Sequence, residues 1–77
     1  MGGADDDPTG IHCRLDELLA ERGMTLTQLS ERVGVSVVNL SVLKNDRARA
    51  IRFSTLTAIC TVLGCTVGEL LVATDAA

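Results

Sequence analysis

The stretch "LTQLSERVGVSVVNLSVLK", residues 26–44, divides into two short helical patterns around one glycine. In the first, Leu26, Leu29 and Val33 recur at the spacing of a single helix face. Thr25 and Gln28 stand three apart, as in a capping box, and Met24 with Leu29 has the spacing of a hydrophobic staple. Gly34 ends this helix. Two residues later Ser36 is placed as the N-cap of another, and Val35 with Leu40 repeats the staple. The pattern predicts helices over 26–33 and 37–44, joined by a tight turn.

Two short helices so joined have the layout of a helix-turn-helix. At about 100° per residue, Leu40 and Leu43 point one way on the later helix. Val38, Ser41, Val42 and Asn45 point roughly opposite, and Val37 lies at the N-terminal tip. If the leucines are core, valines face water beside Lys44, Arg47, Arg49 and Arg52. One reading is a DNA major groove, where valine methyls meet thymine methyls, Ser41 bonds a base edge and the cations sit on the phosphates. The other is a valine face turned to the core or to a second subunit. On pattern alone both stand.

Outward from this centre, residues 1–10 lack hydrophobic periodicity and are expected as a tail. Ile11, Leu15, Leu18 and Leu19 predict a helix over 11–22, stopped by Gly23. The segment "NDRARAIRF" is polar and basic, a surface loop. Ser54 is expected to cap a helix over 55–63 with Leu56, Ile59, Cys60 and Leu63 inward, ended by Gly64. Thr66 with Glu69 forms another capping box and Cys65 with Leu70 another staple, opening a helix over 67–72. Residues 73–77, "ATDAA", are expected to fray. The expectation is an all-α, compact five-helix bundle over 11–72 with no β-sheet. Its core should include Leu15, Leu29, Leu40, Leu43, Leu56, Ile59 and Leu70.

Composition narrows the function. The 77 residues suffice for one small domain, and its core must be aliphatic, since Phe53 is the sole aromatic. No apolar run approaches the roughly 20 residues of a membrane span, and the N-terminus lacks the features of a signal peptide. The net charge of −3 is unevenly spread: Asp5, Asp6, Asp7 and Asp75 lie in the ends, and 11–72 keeps all seven basic residues against six acidic ones. Four of the seven fall between Lys44 and Arg52, opposed there only by Asp46, a local footprint for polyanions. Cys13, Cys60 and Cys65 lack the spacing of a zinc site, even with His12 alongside. They read as small apolar residues in a reducing cytosol. There is no Ser-His-acid order, phosphate-binding glycine loop or ligand set, so no enzyme, cofactor, metal or small-molecule ligand is expected.

The residues "LTQLSERVGVSVVNLSVLKN", with "RAIRFSTLTAICTVLGCTVGELL" downstream, make about four-fifths of the chain resemble a Cro/phage-repressor-type helix-turn-helix domain of the Xre family. The resemblance extends to the family's small stand-alone bacterial members, with a lambda-repressor-like fold. It implies sequence-specific binding of double-stranded DNA by a cytoplasmic transcriptional regulator. By position, Val37, Val38, Ser41 and Val42 would read bases. Gln28, Asn39, Lys44, Asn45, Arg47, Arg49 and Arg52 would hold the backbone. Gln28 has a second reading as the cap partner of Thr25, and both roles can hold together. Where many relatives carry Gln, Arg or Asn on the reading face, this chain carries valines, which favours methyl contact and shape readout. A domain this small makes few base contacts, so a homodimer on two half-sites is expected, with Leu71 and Val72 as its surface. The rival is a protein-interaction module, such as an antitoxin or a regulator's partner, on the same fold.

Overall fold

In the computed structural model, which describes residues 10–74, the chain forms five helices and closes its ends with a short ribbon. β1 (Ile11–Cys13) leads into α1 (Leu15–Arg22), α2 (Leu26–Val33) and α3 (Val37–Lys44). After a loop come α4 (Phe53–Leu63), α5 (Val67–Leu70) and β2 (Leu71–Ala73). The helix-turn-helix lies where the pattern placed it. At α2, the Gln28 N–H donates to Thr25 Oγ1 at 3.1 Å and the Thr25 N–H to Gln28 Oε1 at 2.9 Å, the reciprocal capping box. Thr66 and Glu69 repeat it at α5. Ser36 accepts the Asn39 N–H at 3.1 Å and caps α3. Between α2 and α3, Gly34 takes φ 73, a left-handed turn that Cβ-bearing residues resist. Ser30 Oγ braces that turn by donating to the Val35 carbonyl at 2.6 Å.

The two chain ends correct the sequence expectation. Ile11–Cys13 pairs antiparallel with Leu71–Ala73, in the register Ile11 to Ala73, His12 to Val72 and Cys13 to Leu71. The Arg14 N–H to the Leu70 carbonyl (2.7 Å) and the Thr74 N–H to the Gly10 carbonyl (2.8 Å) extend the pairing. The expectation of no β-sheet therefore fails. α1 starts at Leu15 rather than Ile11, and α5 stops at Leu70, so Leu71 and Val72 are half-buried strand residues, not an exposed helix end. A pattern of apolar spacings cannot register a partner strand from the far end of the chain. The tails expected at 1–10 and 73–77 lie outside the described residues apart from Gly10, Ala73 and Thr74, which the ribbon engages. α4 differs too: its N-cap is Arg52, with no side-chain bond, and Ser54 lies inside the first turn.

All seven leucine and isoleucine residues assigned to the core are buried, with Leu18, Leu19, Leu63 and Cys13 beside them. Leu15, Leu29, Leu40, Ile59 and Leu70 are fully enclosed, and burying such a side chain stabilises by about 1.5–3 kcal/mol. Arg22 Nε donates to the Leu63 carbonyl at 2.6 Å, placing a cation at the negative end of α4 and tying α1 to it. Among the described residues, no helix is long and apolar enough to cross a membrane.

Candidate nucleic-acid interface

α3 presents two unlike faces. Leu40 is 1% exposed and Leu43 is buried, whereas Val38 is 71% exposed and Val37 and Val42 each 39%. Ser41 is half-buried between them. The outward phase expected of the valines is therefore the one observed. A capped, core-anchored helix holding apolar methyls in water makes this face a candidate contact surface.

The loop after α3 is built so that its cations point out. Asn45 is the C-cap of α3, and its N–H donates to the Ser41 carbonyl at 3.0 Å. Asp46 follows with φ 62, and the Arg47 N–H returns to the Val42 carbonyl at 2.9 Å. Ala48 and Ile51 pack against the core, while Arg47, Arg49 and Arg52 are exposed. Asp46, the only acid within this run, turns away from them. Its Oδ1 accepts the Cys13 N–H at 2.7 Å, and its Oδ2 lies 2.8 Å from His12 Nδ1. The left-handed Asp46 thus ties the loop to β1 and draws its own negative charge toward the ribbon.

The titration of this tie follows its geometry. The Asp46 hydrogen bond raises His12 above its ordinary value of 6.5; partial burial opposes this, and Asp46 charge and Glu17 add to it. For Asp46, burial pushes upward, but the Cys13 N–H bond and His12 together outweigh it and leave the carboxyl below its ordinary range. Elsewhere burial, with Cys60 close by, pushes the Cys65 thiol up to about 11. Among the described residues, no group of three or more His, Cys, Asp or Glu side chains is arranged to hold a metal ion.

The sequence-assigned site residues divide in space. Asn39, Val42, Arg47, Arg49 and Arg52 line one cleft between α3, the loop and the start of α4. Val37, Val38 and Ser41 lie outside its lining, on the rest of α3. Gln28 is exposed at the start of α2, its side-chain oxygen committed to Thr25. Lys44 is set apart: its Nζ lies 3.7 Å from Asp16 Oδ2 on α1, and its side chain is largely covered. Two features escaped the sequence reading. Thr55 joins the cleft from α4, and Phe53, the one aromatic, stands 83% exposed as the first residue of that helix. Taking Arg52 rather than Ser54 as the cap would have brought both into the first turn beside the basic loop.

The arrangement matches known proteins in both sequence and shape. Residues 14–76 match the Cro/C1-type HTH DNA-binding domain. The chain is 56% identical over 61 residues to the uncharacterized HTH-type transcriptional regulator YozG of Bacillus subtilis (strain 168), covering 79% of this chain and 73% of that one. The structure of the transcriptional regulator VanUg superposes with a TM-score of 0.67 at 31% identity, over 84% of this chain and 88% of that chain. A chain of the SinR protein/SinI protein complex gives the same TM-score at 25% identity, over 73% of this chain. The present chain spans about half of that one, 54%.

Proposed function

This chain belongs to the Cro/C1-type helix-turn-helix DNA-binding family, and from that premise we propose that it regulates transcription by reading double-stranded DNA with α3 in the major groove. The observation that carries the reading is the juxtaposition of an outward valine face on α3 with a loop whose three arginines face out while its acid is tied elsewhere. Val37, Val38 and Val42 meet thymine methyls, Ser41 bonds a base edge, and Asn39, Arg47, Arg49 and Arg52 engage the backbone. Gln28 and Asn45 add backbone contacts at the two margins. Lys44 belongs to the same set only if it exchanges Asp16 for a phosphate. Such a reading needs no cofactor and no catalysis, and it operates in the cytoplasm. Two protomers on adjacent half-sites supply the specificity that one small reading face lacks.

Exposed valines also favour a second reading, in which the face docks another protein, as an antitoxin or a regulator's partner would use it. Selection of bound duplexes from a random pool, followed by a salt titration of the best one, separates the two. The DNA reading expects an enriched motif and an affinity that falls steeply with salt. No enrichment, together with salt-insensitive capture of a protein partner, would overturn it.

A further inference from the structure

The chain enters the fold at the rim of its own basic loop. Ile11, the first residue of β1, lines the same cleft as Arg49, and Arg49 shares the neighbouring cleft with Arg47 and Arg52. Just before Ile11 the sequence reads "DDDPTG", with Asp5, Asp6 and Asp7 consecutive. Only Pro8, Thr9 and Gly10 separate Asp7 from Ile11, so an extended chain carries Asp7 at most about 14 Å, and Asp5 about 21 Å, from that residue. Gly10 has φ 81, a conformation that bends the backbone out of the line of β1. The loop, for its part, carries three exposed arginines, and Asp46 is held against Cys13 and His12 on the ribbon side.

We propose that the acidic segment 3–9 docks on the Arg47–Arg49–Arg52 surface and competes there with DNA phosphates; the competition rests on the DNA-binding reading, the docking does not. Charge complementarity and tether length carry the assignment. Three carboxylates in a row carry concentrated negative charge, as a short run of phosphates does, and a short tether presents them at an effective concentration near millimolar. Each exposed ion pair is weak, so the segment yields to a true polyanion and lowers the affinity for any duplex that uses these arginines by a modest factor.

Two measurements on the full chain test this. The first compares arginine Nε and backbone amide NMR signals of Arg47, Arg49 and Arg52, without DNA, between the wild type and the D5N/D6N/D7N variant. The expected result is a difference at low salt that vanishes at high salt, with D5E/D6E/D7E matching the wild type. Coincident spectra at low salt overturn the docking. The second measures affinity for a non-specific duplex. Neutralising the aspartates is expected to tighten it on the order of 3–10-fold at low salt. A Gly/Ser insertion between Thr9 and Gly10, which keeps the charge but dilutes the tethered segment, is expected to recover part of that gain. If neutralisation tightens binding and the insertion changes nothing, general repulsion is at work and the competition is refuted. If no form binds any duplex, the DNA reading fails, while the NMR comparison still decides the docking.

Discussion

Val42 and Arg47 are joined by one backbone hydrogen bond, yet they are proposed to play different parts in recognition. Val42 offers only methyl contact from α3, so Val42→Ala is expected to weaken discrimination at a thymine position by about 1 kcal/mol or less. Arg47→Ala should leave sequence preference intact and reduce the salt slope of binding by about one unit. Binding isotherms on preferred and scrambled duplexes at several salt concentrations check both. A Val42 change that leaves preference untouched but abolishes self-association would instead mark the face as a protein interface. His12 makes a separate prediction. Because its pKa is raised in the fold, its bond to Asp46 stabilises fully below about pH 6.5 and is lost as pH rises through the folded value. Asp46, being lowered, contributes above its ordinary value of 3.8 and loses that contribution only as pH falls through its folded value. Melting temperature should therefore decline as pH rises above about 6.5, and His12→Ala should flatten that slope. Both groups are well exposed, so the effect is small.

At the scale of the element, Gln28 of α2 is proposed to serve folding and recognition together. Gln28 closes the capping box with Thr25 and stands exposed at the end of α2 that is expected to approach the DNA backbone. Gln28→Glu keeps an oxygen to accept the Thr25 N–H and adds an acid where the helix dipole favours one. It should leave the melting temperature nearly unchanged while weakening DNA binding through repulsion of phosphate. Thr25→Ala should do the reverse, costing about 1 kcal/mol of stability with little direct effect on the contact surface. Thermal melts paired with binding curves distinguish the two, and equal losses of affinity would remove Gln28 from the interface. The five helices were legible in sequence because each cap and staple acts within about five residues and each glycine stop falls at the end of its own helix. α4 was misjudged at its start because Arg52 caps it through backbone geometry alone, without the side-chain bond that makes a serine recognisable.

For the molecule as a whole, the aliphatic core sets both stability and the aim of α3. Leu40 is enclosed on the inner side of the helix whose outer side carries Val38 and Val42. Leu40→Ala is expected to cost on the order of 2–5 kcal/mol, a large share of the 5–15 kcal/mol typical of a folded domain. Denaturant unfolding checks the magnitude. A loss well under 1 kcal/mol would mean that the helix is not anchored as described. The ribbon adds a second layer of organisation. By pairing β1 with β2 and receiving Asp46 from the loop, it links both chain ends to the basic segment. Leu71 and Val72, expected at a dimer surface, are half-buried residues of this ribbon and keep part of their surface exposed. A homodimer that uses them on DNA stays a proposal, and sedimentation of the saturated complex gives its stoichiometry.

The breaks at Gly23, Gly34 and Gly64, the caps at Thr25, Ser36 and Thr66 and the inward phase of Leu40 and Leu43 were all readable in the linear chain. Each rests on backbone and side-chain chemistry confined to about one helical turn. So was the clustering of cations between Lys44 and Arg52, which is a matter of order alone. How those charges are deployed was not readable. Lys44 turns back to Asp16, and Asp46 crosses to Cys13 and His12, leaving Arg47, Arg49 and Arg52 grouped beside Val42. The pairing of Ile11–Cys13 with Leu71–Ala73 was equally hidden. These outcomes depend on groups far apart in the chain, whose attraction takes effect only once the core has brought them within a few ångströms.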